Sequence, residues 1–243
     1  MTAQEPTVAI SGDTALQSEV LEDLSQAVNY RRWLCSLAQP YLGDHPMEIG
    51  SGTGDHAAEW LTDGRRITAT EPDPARYNLL AQRFAGHDAV DTHHLGLPAE
   101  IDGEHSAVVA YNVLEHIEDD VAALASCKRL LRPGGAVIIL VPAFQFAMSA
   151  FDREIGHFRR YRVAGLRGAM EAAGLTVEHI QYVNPLGLLA WVGGMKLCRM
   201  RPREGALLGI WDRFAVPVAR RLEAGRKPPF GQSVFAVARV PHG

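Results

Sequence analysis

The sequence predicts an α/β fold, a mostly parallel sheet with helices on both of its faces. Three observations predict it. Short apolar runs alternate with segments of helical period from Pro46 to Val183. A glycine-rich turn, Gly50 to Gly54, stands directly between a strand and a helix. The runs Ala107–Tyr111 and Ala136–Val141 are apolar throughout, as strands covered on both faces are. Alternation of this length is the pattern of strand–helix units wound into a parallel sheet.

Taken in order, residues 1–13 read as a flexible polar tail. From Thr14 to Leu42 the residues Leu16, Val20, Leu24, Val28, Leu34 and Leu37 recur at roughly helical spacing, and Pro40 and Gly43 punctuate the end. Residues 14–45 are thus expected to form N-terminal cap helices. A core follows over residues 46–183. In it Met47–Ile49 is a strand, Gly50–Gly54 a turn and Asp55–Leu61 a helix. Arg66–Thr70 is a second strand with Glu71 at its carboxyl end, and Pro72-Asp73-Pro74 turns the chain into a helix over Ala75–Phe84. Ala89–Leu95 is a weaker strand. After Ala107–Tyr111, Leu114, Ile117, Val121, Leu124 and Leu131 keep helical spacing until Pro133-Gly134-Gly135 ends it, and Ala136–Val141 is the next strand. Ala143–Tyr161 is long for a connection and dense in aromatic and basic residues; such loops are usually functional. Val163–Ala173 is a helix stopped by Gly174, and Leu175–Val183 is a strand. Residues 184–232 interrupt the rhythm. Ser233–Val240 is the last strand, within a final stretch of residues 233–243.

Composition narrows the classes. A chain of 243 residues suits one large domain with a modest insertion. The net charge of -4 lacks the basic surplus of a nucleic-acid binder, so no nucleic-acid partner is expected. Cys35, Cys127 and Cys198 are far apart and form no C-x-x-C pair, which argues against a zinc knot and fits a reducing cytoplasm. The first residues show no basic and then apolar leader, and no apolar run reaches ~18 residues. The expected location is cytoplasmic.

The chemistry starts at Glu48-Ile49-Gly50-Ser51-Gly52-Thr53-Gly54. Absent side chains let the backbone turn sharply and approach a ligand closely. The helix start beyond it favours a negative group, which in a dinucleotide enzyme is a pyrophosphate. A tight turn with no ligand has the same form. Glu71 follows Gly54 by 17 residues at the end of the next strand, where a carboxylate can accept both hydroxyls of a ribose. Asn112 follows the fourth strand and precedes Leu114-Glu115-His116-Ile117-Glu118-Asp119-Asp120.

On EIGSGTG, TEPD, YNVLEHIEDD and LLRPGG before a strand, the chain resembles class I methyltransferases of the small-molecule type 11/12 kind. The resemblance covers most of Thr14 to Val183. It implies a Rossmann-like, seven-stranded, mostly parallel sheet whose last strand is antiparallel. It implies S-adenosylmethionine as cofactor, S-adenosylhomocysteine as product, and a small-molecule acceptor methylated on oxygen or nitrogen in bacterial specialised metabolism. Glu48 with Gly50, Ser51, Gly52, Thr53 and Gly54 would cradle the methionine part. Glu71, followed by Pro72, would hold the ribose. His94 and Leu95 would edge the adenine; the aspartate many relatives carry there is missing at the matching place, leaving His94 or backbone groups. Asn112 and Val113 would line the cofactor floor. Asn29–Trp33 resembles the helix that covers the cofactor, with Tyr30 at the methionine carboxylate; Tyr30 and Trp33 also suit the core of an amphipathic helix.

Methyl transfer is an in-line displacement at a sulfonium carbon, in which positioning and water exclusion supply much of the acceleration. A base is needed only where the acceptor must lose a proton. His116, just after the fourth strand, and His157, in the loop after the fifth, both belong to the carboxyl edge where open sheets bind ligands. His116 is also readable as a helix-start residue bonded to backbone. Asp152 to Tyr161 resembles the D-x-x-x-G-H-x-R-R-Y run of a subgroup of these enzymes. Asp152 and His157 can form a carboxylate–imidazole pair that fixes the tautomer. Arg159 and Arg160 can clamp an anionic acceptor, with Phe144, Phe151 and Tyr161 contacting it. A self-contained, salt-bridged loop fits the same residues. No metal site is expected: His93 and His94 are adjacent and point to opposite strand faces.

Residues 184–232 carry nine basic residues, Lys196, Arg199, Arg201, Arg203, Arg213, Arg220, Arg221, Arg226 and Lys227, against Glu204, Asp212 and Glu223. Apolar residues such as Trp191, Leu207, Ile210 and Phe214 run among them. The segment can cap an acceptor pocket, form a homodimer contact or lie on an anionic membrane, with a lid placed ahead of a membrane. A dinucleotide-dependent oxidoreductase, a membrane-surface methyltransferase of lipid-linked or sugar acceptors, and a cofactor-binding module without turnover are the competing readings.

Overall fold

The structure, a computed structural model, describes residues 10–61, 64–197 and 206–241. Its centre is one seven-stranded sheet: β1 (Pro46–Ile49), β2 (Ile67–Thr70), β3 (Val90–His93), β4 (His105–Tyr111), β5 (Leu131–Pro142), β6 (Thr176–Val183) and β7 (Ser233–Arg239), in the order β3-β2-β1-β4-β5-β7-β6. The first five are parallel, and β7 runs antiparallel to both β5 and β6. The strand order reverses between β1 and β4, which opens a crevice at the carboxyl ends of those strands.

Period-two alternation sorts the side chains into two cores. Met47, Ile49, Val108, Ala110, Val137 and Ile139 face α5 (Asp120–Arg129) and α7 (Val163–Ala172). Ile67, Ala107, Val109, Ile138 and Leu140 face α2 (Val28–Ala38) and α3 (Asp55–Trp60), through Trp33, Leu34, Ala57 and Trp60. Both β4 and β5 are covered on both sides, so their runs carry no polar alternation. Each fully buried Val, Leu or Ile there contributes about 1.5–3 kcal/mol.

Several boundaries differ from expectation for identifiable reasons. The N-terminal cap helices are α1 (Thr14–Ser25) and α2, separated at Ala27, whose ψ of 65° is not helical. Residues 1–9 of the expected tail lie outside the described residues. Within 10–13, Asp13 N donates to Glu154 O at 3.0 Å, while Gln17 Nε2 donates to Ser11 O and Ile155 O at 2.8 Å, so this part is fastened rather than free. The helix expected from Leu114 begins at Asp120. Leu114–His116 is a single 3-10 turn, and Asp119 then caps α5 by accepting from Ala122 N at 2.9 Å. β5 starts early because β4 pairs at His105↔Leu131 and again at Ala107↔Ala136, so residues 132–135 bulge out, helped by a positive φ at Gly134.

After α4 (Pro74–Arg83) and the strands, the long connection holds a 3-10 turn, Gln145–Ala147, and the short α6 (Ala150–Glu154). The insertion is helical. It comprises α8 (Pro185–Trp191), a π-helical stretch Val192–Leu197, α9 (Ala206–Ile210), a π-helical turn Trp211–Ala215 and α10 (Val216–Glu223). Residues 198–205, including Cys198, lie outside the described residues. No helix among those described is long and apolar enough to cross a membrane.

Candidate active site

Among the described residues, three other than glycine adopt a positive φ: Asn112 (53°), Phe144 (62°) and Asn184 (62°). Each lies within two residues of a strand's end, that of β4, β5 or β6, and those three carboxyl ends share one edge of the sheet. Backbone strain of this kind gathers at functional sites, and here it marks the edge that sequence reasoning selects.

The glycine loop lies at that edge. Gly50, Gly52 and Gly54 all have positive φ. A Cβ on Gly50 would come within 2.7 Å of Val113 Cγ2, and one on Gly54 within 2.5 Å of the Phe84 ring. Gly50 thus lets the loop pass close to Val113. Ser51 and Thr53 complete the turn, and Ser51 N donates to Thr70 O at 2.7 Å. Glu48 is buried; its Oε1 lies 3.2 Å from His56 Nδ1, while Oε2 has no hydrogen-bond partner. A buried carboxylate oxygen beside a glycine loop fits the ammonium of an amino-acid moiety.

Glu71 is also buried. Its Oε2 accepts from Gly52 N at 2.9 Å; its Oε1 accepts from Asp73 N at 3.0 Å and Arg76 Nε at 2.9 Å. The carboxylate thus braces the loop as well as facing it, and a carboxylate has about four acceptor positions, so room for a hydroxyl remains on Oε2. Arg76 and His56 are partners that the sequence reading missed. His94 Nε2 lies 2.8 Å from Pro72 O, and its ring stacks on Tyr77. His94 and Leu95 also border a cleft of about 830 Å³ with His45, His93 and His105, but no residue of the glycine loop lines it.

Tyr30 takes the core alternative. Its hydroxyl bonds with Asn184 and Ser233, its ring packs edge-on against Trp33 and Trp211, and burial pushes it up to about 12.

In the connection after β5, Asp152 and His157 come together as expected. His157 Nδ1 lies 3.0 Å from Asp152 Oδ1, a close contact rather than a straight hydrogen bond. Asp152 Oδ2 accepts from Ser149 N at 2.6 Å and Ser149 Oγ at 2.7 Å, closing the cap of α6. Arg160 Nη2 donates to Asp152 Oδ1 at 2.7 Å, and the guanidinium lies under the Trp191 ring. Burial raises the Asp152 carboxyl, but His157 and Arg160 outweigh it and hold the group well below the usual carboxylate range.

Arg160 is thereby buried as the partner of Asp152, not presented as an anion clamp. Arg159 pairs with Asp120 at 2.8 Å and donates to Glu118 O, and the Tyr161 hydroxyl donates to the same Asp120 at 2.9 Å. Phe151 and Tyr161 are buried; Phe144 stacks on Tyr182.

Glu115 is the group that sequence reasoning passed over. It has no exposed surface, and neither carboxylate oxygen has a hydrogen-bond partner. Its Oε1 lies 3.8 Å from His157 Nε2. Burial raises it to about 7, against the lowering pull of His157. His116 packs edge-on against His157 with centroids 4.5 Å apart, and burial with His157 nearby lowers it to about 3. Glu115, His116 and His157 bring donor atoms within 4.8 Å of one another, so the fold assembles a set of metal-ligand residue types where sequence spacing shows none. The same set can pass a proton.

The chain is similar to known proteins. The family model described as "Methyltransferase domain" matches residues 47–137. A Mycolicibacterium smegmatis protein named "Probable S-adenosylmethionine-dependent methyltransferase" is 31% identical over 148 residues, 58% of this chain and 56% of that one, so the match spans little more than half of that relative. The ubiquinone biosynthesis O-methyltransferase of Aromatoleum aromaticum is 30% identical over 177 residues, 69% of this chain and 68% of its own. The geranyl diphosphate C-methyltransferase of Streptomyces coelicolor A3(2), solved with Mg2+, geranyl-S-thiolodiphosphate and S-adenosyl-L-homocysteine, shares the fold with a TM-score of 0.59 at 16% identity, covering 85% of this chain and 75% of that one. With its glycine loop, its orphaned Glu48 oxygen and its reversed strand order, this chain belongs to the S-adenosylmethionine-dependent methyltransferases.

Proposed function

We propose that the chain methylates an oxygen or nitrogen of a small-molecule acceptor, in bacterial specialised metabolism, with His157 taking the acceptor's proton. One observation carries this: a buried Glu115, unpartnered at both oxygens, faces Nε2 of a His157 whose Nδ1 lies against Asp152. S-adenosylmethionine, when bound, supplies an electrophilic methyl group on a sulfonium. Glu48 and Glu71 hold its charged and hydroxyl ends, and Asn112 and Val113 shape the floor. An acceptor lone pair would take that methyl carbon, leaving the S–C bond electrons on sulfur. The acceptor proton passes to His157 Nε2. Asp152 keeps the ring oriented, and Glu115 balances the positive ring. Arg160 positions Asp152 through its buried ion pair. The likeness to an enzyme named as an O-methyltransferase favours oxygen as the acceptor atom.

Labelled methyl transfer into a fractionated cell extract finds the acceptor and tests turnover. His157→Asn is then expected to lower kcat by about 10²–10⁴-fold with cofactor affinity retained, and a chelator is expected to leave the rate unchanged. Full activity in the variant would move the base elsewhere. A rate abolished by chelation would assign the Glu115–His116–His157 set to a metal.

A further inference from the structure

We propose that the outward face of α9 and α10 docks on an anionic phospholipid bilayer. Ile210, Phe214, Val218 and Leu222 recur every four residues from Ala206 to Glu223, and all four are exposed, by 55%, 62%, 48% and 58%. Steps of four drift slowly around an α-helix. The π-helical turn Trp211–Ala215 takes more residues per turn and offsets that drift, keeping the four on one stripe. Exposed apolar stripes of this size mark interaction sites.

Charge identifies the occupant. Among the described residues of 206–230 the exposed charges are Arg213, Arg220, Arg221, Arg226 and Lys227. The two acids turn inward: Asp212 is buried against the start of α2, and Glu223 accepts from Asn184 N at 3.1 Å. This basic face sits on a chain whose net charge is -4. Arg220 and Arg221 line an open cleft of about 500 Å³ together with Pro217 and with Arg32 of α2. Arg221 follows Val218 by three positions, so the cleft runs along one flank of the stripe. Guanidinium forks take phosphate oxygens, and an apolar stripe flanked by them suits a helix lying in a headgroup layer. A second copy fits poorly, because a two-fold contact through this face sets the same arginines against each other.

The helix is also tied to the start of α2. Asp212 accepts from Asn29 N at 3.0 Å and Tyr30 N at 2.8 Å, so docking brings the start of α2 to the bilayer surface. A membrane-held acceptor gains from that placement, but the docking itself does not depend on the role given to His157.

Flotation of the full chain with vesicles tests this. The protein is expected to float with mixed phosphatidylglycerol and phosphatidylcholine, to stay behind with phosphatidylcholine alone, and to be released at about 0.5 M salt. Phe214→Glu with Leu222→Glu, and separately Arg220→Glu with Arg221→Glu, are each expected to lower the bound fraction at least about tenfold, with unchanged S-adenosylmethionine titrations. Should the first pair fail to fold, Phe214→Ser with Leu222→Ser reads the same loss. Wild-type protein that ignores every vesicle, or floats equally with phosphatidylcholine alone, overturns the proposal. So does a wild-type dimer that Phe214→Glu with Leu222→Glu splits while vesicles go unbound, which would give the face to a second copy.

Discussion

Glu115 concentrates the tension in this molecule. A carboxylate without exposed surface and without a hydrogen bond to either oxygen opposes folding whenever it is ionised. Its folded value of about 7 stands above an unfolded value near about 4.3, so between those limits the native state binds the extra proton. Stability from this group is therefore present below the unfolded value and lost as pH rises through about 7. Glu115→Gln is expected to gain stability over the wild type at pH 8, by a few kcal/mol, and to gain little at pH 4. Paired urea titrations at the two pH values check this; an equal effect at both would show that Glu115 carries no buried charge. Glu71 makes the converse case. Its oxygens accept from two loop amides and from Arg76, so Glu71→Gln turns one acceptor into a donor that faces donors. S-adenosylmethionine affinity is expected to fall about 10–100-fold, read by calorimetry on protein whose melting curve confirms folding.

At the scale of elements, α2 depends on a residue far away in sequence. No side chain of its own caps its first turn; Asp212 reaches in and takes the amides of Asn29 and Tyr30. Asp212→Ala leaves those two amides without their acceptor and is expected to cost about 2–4 kcal/mol, measured by urea denaturation. A loss under about 0.5 kcal/mol would mean that water replaces the carboxylate. This contact also shows where sequence reading stops. The strand–turn–helix unit of Glu48 to Leu61 is contiguous, so its period, glycines and leading acid were legible. The Asp152–His157 pair was legible as well, since both stand in one loop. Asp212 lies 183 positions from Asn29, and Glu115 and Arg76 look like ordinary helix-start residues. Their roles arise from tertiary neighbours and leave no local pattern. The bulge at residues 132–135 was hidden for a different reason: Pro133-Gly134-Gly135 ends a helix and makes a bulge with equal ease.

At the scale of the whole molecule, the sheet topology decides which residues meet. Parallel strands β1, β4 and β5 end at one edge, so the glycine loop, Asn112, Glu115 and the α6 loop gather there although they are spread over some hundred positions. On the proposed function, Glu48 would hold the cofactor and the Glu115–His157–Asp152 chain would serve the acceptor. That division of labour is the central claim, and it makes proton removal depend on a group that titrates near neutrality. The most direct test is the pH profile of kcat/KM for methyl transfer in wild type and Glu115→Gln. The account predicts an acidic limb centred near about 7 in the wild type that is displaced to lower pH in the variant together with a reduced kcat/KM, with S-adenosylmethionine affinity unchanged. The same limb and the same rate in both proteins would contradict it.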